Sequence, residues 1–173
     1  EVAKLITADV DSKIVVLSAL SGTTNALVEI SSTLASGNKN EAKLQIDALE
    51  QHYQTFIELL LNTDDAKLKA KQLLAEHFEF LTIILKISFS EALNKDILAQ
   101  GELLSTKLFS IYLAEQNIHH VLLPALDFMT IDSYDEPQIG AIKVKLAQLM
   151  QRNKDTNIFV TQGYISRNAK GEV

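Results

Sequence analysis

Three short β-branched runs stand far apart in a chain otherwise dominated by helical periodicity, and that spacing constrains the fold most. Lys13–Ala19 reads KIVVLSA, Ile118–Leu123 reads IHHVLL and Asn157–Gln162 reads NIFVTQ. Runs that are apolar on both faces suit strands of a parallel sheet covered on both sides. Pro124 follows the second run, where a missing N–H does least harm to a ladder. Strands alternating with helices predict an α/β fold: a mainly parallel sheet flanked by helices, all three strands in one sheet.

Between the first two runs the pattern is helical. Leu44, Leu49, Tyr53, Phe56, Ile57 and Leu60 recur at helical spacing from Asn38 to Leu61. Asn62-Thr63-Asp64-Asp65 breaks that pattern and offers a new N-cap. Ala66 to Ile87 follows with Leu74, Phe78, Leu81 and Leu85 on one face, as the second arm of an antiparallel hairpin. A further helix runs through Leu98, Gly101 interrupts, and Glu102 to Gln116 resumes. Residues 38–98 are thus expected as a helical lobe beside the sheet, within one domain of 173 residues. Ala26 starts another helix, Asp127 to Asp132 is a short strand or loop, and Gln138 to Met150 is a helix with Ile142, Leu146 and Met150 on one face. Ser166 to Lys170 reads as a hairpin tip turned at Gly171.

Composition removes several functions. Aromatic residues make up 6% and Trp is absent, so the core is mostly aliphatic. The net charge of -6 argues against binding a nucleic-acid backbone, which needs clustered Lys and Arg. Without Cys there is no disulfide, no thiolate metal site and no Cys nucleophile, which suits a reducing, cytoplasmic compartment. No apolar run is long enough to cross a bilayer. His119 and His120, adjacent on a strand, point to opposite faces; with His52 and His77 they read as structural rather than as metal ligands. The opening EVAKLI reads as the tail of a helix begun upstream, and both ends look cut.

In open α/β sheets, ligands bind beyond the carboxyl ends of the strands. Ser18 to Asn25 lies there, a Ser/Thr/Gly-rich loop running into a helix, and so do Thr161 to Tyr164. Such a loop offers hydroxyls and free N–H groups to an anion, although ordinary capping explains it as simply. Glu102, read as a carboxylate in the first turn of a helix, either complements the helix dipole or pairs with a ligand ammonium.

Four segments in order resemble the aspartate kinases. Val15 to Leu27 is similar to the family segment VVSAMxGxTNxL, Ile97 to Ser105 to ILSxGExLS, Leu123 to Asp132 to LDAxDFxxTD, and Val160 to Ile165 to VTQGFIG. The resemblance implies an amino-acid kinase fold and transfer of the γ-phosphoryl group of ATP, accompanied by Mg²⁺, to the side-chain carboxylate of L-aspartate. It places Thr24 at the threonine that binds aspartate and Glu102 at the glutamate that holds its α-ammonium. Ser18 and Ser21 fall beside the phosphoryl path, and Tyr164 stands where the family usually has Phe, near the aspartate. The family's KFGGTS lysine and GRGGSD arginine, its nucleotide half and its ACT domains have no counterpart among these residues. The expectation is therefore an internal, amino-acid-binding part of an aspartate kinase, itself inactive, without a metal site of its own, and prone to homo-oligomerise through a bare sheet edge. A glutamate or acetylglutamate kinase, or a non-catalytic α/β interaction module, is the alternative.

Overall fold

The computed structural model describes all residues from Glu1 to Val173. Three strands, β1 (Lys13–Leu17), β2 (Val121–Leu122) and β3 (Ile158–Gln162), form one sheet in the order β1-β3-β2, and both pairings are parallel. Val15 pairs with Val160 and Val16 with Thr161. The second strand is shorter than its sequence promises. His119 and His120 leave the ladder to bond locally: His119 Nε2 meets Thr156 Oγ1 at 3.1 Å, and His120 Nδ1 meets the Ile118 carbonyl at 2.8 Å.

Seven helices complete the chain: α1 (Val2–Ile6), α2 (Thr23–Ala35), α3 (Lys39–Leu60), α4 (Asp64–Ile84), α5 (Glu91–Glu115), α6 (Ala125–Phe128) and α7 (Ile139–Arg152). Asn38, Thr63 and Ser90 cap α3, α4 and α5 by accepting hydrogen bonds from Glu41, Ala66 and Leu93 N–H groups. Asn168 to Gly171 makes a turn closed by the Asn168 N–H to the Glu172 carbonyl, but no strands flank it, so the expected hairpin is a lone turn. The segment after Pro124, expected as strand or loop, opens with the single helical turn of α6.

The largest correction concerns Gly101. The helix does not stop there; α5 runs unbroken for 25 residues. A glycine inside a helix usually costs about 1 kcal/mol relative to Ala, but here it answers a contact. A Cβ at 101 would lie 2.9 Å from the Ala19 Cβ, 3.3 Å from Leu27 Cδ1 and 3.4 Å from Thr23 Cγ2. Glu102 therefore sits in mid-helix, and the helix-dipole account of its position falls.

Helices α2 to α5 form a ring in which each packs on the next and α5 returns to α2. Nineteen buried side chains fill it, including Leu27, Ile30, Ile46, Ile57, Leu74, Leu81 and Ile97. Periodic apolar faces of four long helices bury more together than the small sheet does, so the main core lies in this bundle. On the sheet, Val15, Leu17, Val160 and Leu122 face α1 and α5 through Ala3, Ile6 and Leu113. The other face carries Phe159 and Leu123 against Ile142 and Leu146 of α7. That cover stops short of β1, where Ile14 and Val16 remain 42% and 61% exposed. No helix is long and apolar enough to cross a membrane.

Candidate functional site

The carboxyl ends of β1 and β3 open beside the middle of α5, and the expected residues gather around that junction. Beyond β1, Ser18 and Ser21 are exposed in the loop and Thr24 is exposed in the first turn of α2. Gly22, with φ 84°, caps this helix without a side-chain hydrogen bond. The Thr24 and Asn25 N–H groups have no acceptor within the chain. Helix-start donors of this kind carry partial positive charge and suit a carboxylate or phosphate oxygen.

Opposite stands Glu102, only 7% exposed. No Lys, Arg or His lies within ion-pair distance of it, and its carboxylate receives no hydrogen bond from the chain. The residue is enclosed, but its oxygens are not among the fully buried unpartnered atoms and stay open to a ligand. Its helix is pinned on both sides. Ser105 Oγ donates to the Ser18 carbonyl at 2.8 Å, tying α5 to the β1–α2 loop. Thr106 Oγ1 donates to the Glu102 carbonyl at 2.8 Å and accepts from Gln162 Nε2 at 2.7 Å, while Gln162 Oε1 accepts from the Ala125 N–H at 2.7 Å. The end of β3, the start of α6 and the turn bearing Glu102 thus share one buried polar chain.

Thr23 is buried and shares a 2.9 Å hydrogen bond with the hydroxyl of Tyr53, which is fully buried in α3. Burial pushes the Tyr53 phenol up to about 12; the bond to Thr23 opposes this, and the Glu102 carboxylate adds to it. Beside Tyr53 lies an apolar cavity of about 240 Å³ lined by Ser18, Ala19, Leu20, Ser105 and Leu108 among others.

Gly101 packs on Ala19 and Thr23, and Ser105 is tied to Ser18, so the loop that carries Ser18, Ser21 and Thr24 lies against the turn of α5 that carries Glu102. Tyr164 follows the same strand end, where the Gly163 N–H donates to the Leu17 carbonyl at 2.9 Å, but its side chain is fully exposed. Its φ of 63° is uncommon for an aromatic residue and turns the ring out to solvent. Sequence reasoning missed Tyr53, which reads as one more apolar position of α3. Its signal was a phenol within an aliphatic stripe, since a buried hydroxyl needs a partner. No group of three His, Asp or Glu side chains stands together to hold a metal.

No family model matches the chain. It is 28% identical over 172 residues to lysine-sensitive aspartokinase 3 of Escherichia coli, covering 98% of this chain and 37% of that protein. It is 26% identical over 159 residues to the bifunctional aspartokinase/homoserine dehydrogenase 2 of the same organism, covering 91% of this chain and 19% of that protein. Among solved structures it is similar to E. coli aspartokinase III in complex with lysine and aspartate, with a TM-score of 0.79 at 27% identity over 99% of this chain and 38% of that one. The same enzyme in complex with aspartate and ADP gives 0.78 at 28% identity, over 98% of this chain and 38% of that one. The aspartate kinase of Clostridium acetobutylicum gives 0.69 at 15% identity, over 99% of this chain and 36% of that one, a likeness of fold alone. The chain spans less than two-fifths of the length of these relatives. Over nearly all of its own length, in sequence and in fold, this chain is similar to the aspartokinases.

Proposed function

We propose that the protein to which this chain belongs is an aspartate kinase, a transferase moving the γ-phosphoryl group of ATP to the β-carboxylate of L-aspartate, and that this chain supplies the amino-acid side of the site. The observation that carries the reading is Glu102: a buried carboxylate without a protein cation, at the carboxyl ends of β1 and β3. An α-ammonium is the complement such a group lacks. Thr24 and the open N–H groups of α2 offer donors to a carboxylate of the same ligand, with Ser18 and Ser21 along the path of the phosphoryl group. Tyr164, whose ring is fully exposed, is given a place near the aspartate by the family resemblance alone. The similar structures that hold aspartate, one of them with ADP, support this reading over a glutamate or acetylglutamate kinase or a silent interaction module.

The domain reading is that 1–173 is part of an amino-acid kinase domain with a helical lobe at 38–98. The associated proposals are a cytoplasmic enzyme of lysine, threonine and methionine biosynthesis, using ATP with Mg²⁺. It would work as a homo-oligomer, with the exposed Ile14 and Val16 face of β1 seeking cover.

Phosphoryl transfer depends on positioning and on neutralising charge. This chain alone, with an ammonium-binding carboxylate but no cationic clamp among its matched segments, is expected to show no turnover. The deciding experiment is a coupled assay of ADP release by the full-length protein, with L-aspartate and L-glutamate supplied separately. Release that depends on glutamate and not on aspartate would refute the assignment.

A further inference from the structure

Tyr53 is unusual for its setting. It lies at 0% exposure in the core of the bundle, with Phe78 edge-on at 6.2 Å and His52 at 6.1 Å. A Leu or Phe would fill such a place without a polar atom to satisfy. The phenol reaches away from its own helix to the Thr23 hydroxyl, thirty residues earlier in the chain. Thr23 is itself buried and opens α2, one residue before Thr24.

The first turn of α2 has little else to hold it. Its N-cap is glycine and supplies no side chain. The only side-chain hydrogen bond made by residues 22 to 26 is the one between Thr23 and Tyr53. On its other side Thr23 faces α5, where its Cγ2 would stand 3.4 Å from a Cβ at Gly101, next to Glu102. Thr23 is therefore clamped between the phenol of α3 and the helix that carries the buried carboxylate. Shifting Thr23 shifts Thr24 relative to Glu102.

We propose that Tyr53 is a specificity-determining positioning residue. Its hydroxyl, acting through Thr23, fixes the spacing between the first turn of α2 and Glu102, and with it the length of amino dicarboxylate that the site accepts. The inference rests on the reading of Glu102 as the ammonium partner. Tyr53 touches no substrate in this account; it sets the ruler against which aspartate and glutamate are measured.

The test uses the full-length protein and two substitutions that remove one hydroxyl each, Tyr53→Phe and Thr23→Val. Phe keeps the ring and its edge contact with Phe78. L-Aspartate and L-glutamate are titrated separately into ¹⁵N-labelled protein, and amide exchange is followed at Ala26 and Leu27 in α2 and at Ile57 in α3. Losing one buried hydrogen bond, worth about 1 kcal/mol, is expected to lower the preference for aspartate over glutamate roughly fivefold. Thr23→Val should reproduce the effect, and the double substitution should add nothing to either single one. Exchange should quicken at Ala26 and Leu27 while Ile57 stays protected. A Tyr53→Phe protein that keeps the original preference overturns the proposal. If the unsubstituted protein responds to neither amino acid, the reading of Glu102 fails and the exchange decides alone: unchanged protection at Ala26 and Leu27 overturns the positioning role, and its selective loss sustains it.

Discussion

Gly101 in α5 and Ala19 after β1 approach so closely that a methyl group on residue 101 would stand 2.9 Å from the Ala19 Cβ. This contact sets the helix bundle against the loop at the end of the first strand. Helix propensity alone makes Gly101→Ala favourable by about 1 kcal/mol. The contact reverses the sign, because neither a Cβ nor the backbone below it yields as a flexible side chain does. Gly101→Ala is expected to destabilise the chain by about 1–3 kcal/mol, the usual cost of overpacking. Urea denaturation measures it, and a more stable variant would refute the contact.

Gln162 is buried with both ends of its amide engaged, by the Ala125 N–H and the Thr106 hydroxyl. Gln162→Leu keeps the volume and strands the Ala125 N–H, at a cost of about 1–3 kcal/mol. Thr106→Val leaves the buried Gln162 Nε2 without its acceptor and removes the bond to the Glu102 carbonyl, and should cost about as much. Urea midpoints of both variants check this; a variant as stable as the unsubstituted chain would refute the contribution of its bonds.

Glu102→Gln separates function from folding. No protein cation or donor is lost, so the stability of the chain should be unchanged or higher. In the full-length protein the same change removes a charge-assisted contact worth about 1.5–3 kcal/mol, so kcat/KM for aspartate should fall roughly tenfold or more. Unaltered kinetics would refute the role given to the carboxylate.

His77 supplies a pH dependence with a defined sign. Burial, and then the charge of Lys107, hold its pKa below the ordinary 6.5, while the bond to Gln100 and the Glu76 carboxylate pull the other way. Nδ1 shares a 2.7 Å hydrogen bond with Gln100 Oε1, and Lys107 Nζ stands 3.4 Å from Nε2. The unfolded chain binds this proton more readily than the folded one. Stability is therefore fully present above 6.5 and declines as pH falls from there toward the lower folded value. Melting temperature followed between about pH 7.5 and 5.5 should drop less steeply in His77→Gln than in the unsubstituted chain. Identical slopes would remove His77 from the account.

Much of this fold was legible because it rests on local pattern. The β-branched runs at Lys13 and Asn157 became β1 and β3, and the break at Asn62 to Asp65 holds Thr63, the cap that starts α4. The continuity of α5 was not legible, since the reason for Gly101 is Ala19, more than eighty residues away. A glycine read along the chain looks like a break; read across the fold it is a close approach. The loop of Ser18, Ser21 and Thr24 was visible as a motif, but its support was not. Tyr53 and Thr23 meet only after α3 folds back on α2, and nothing in either segment names the other. Tyr164 was expected beside the ligand because of its place after Gly163; its positive φ, set by the turn there, sends the ring outward.

The unbroken course of α5 has a mechanical consequence. At 1.5 Å per residue its 25 residues make a rod about 37 Å long. Its near end lies in the bundle and its far end under the sheet, where Leu113 packs against Ala3, Ile6 and Val160. When such a rod rocks about a fulcrum, its tips sweep in opposite directions and its centre stays almost still. A rigid rocking of α5 would pivot where Gly101 is seated on Ala19, and Glu102 beside it would move least.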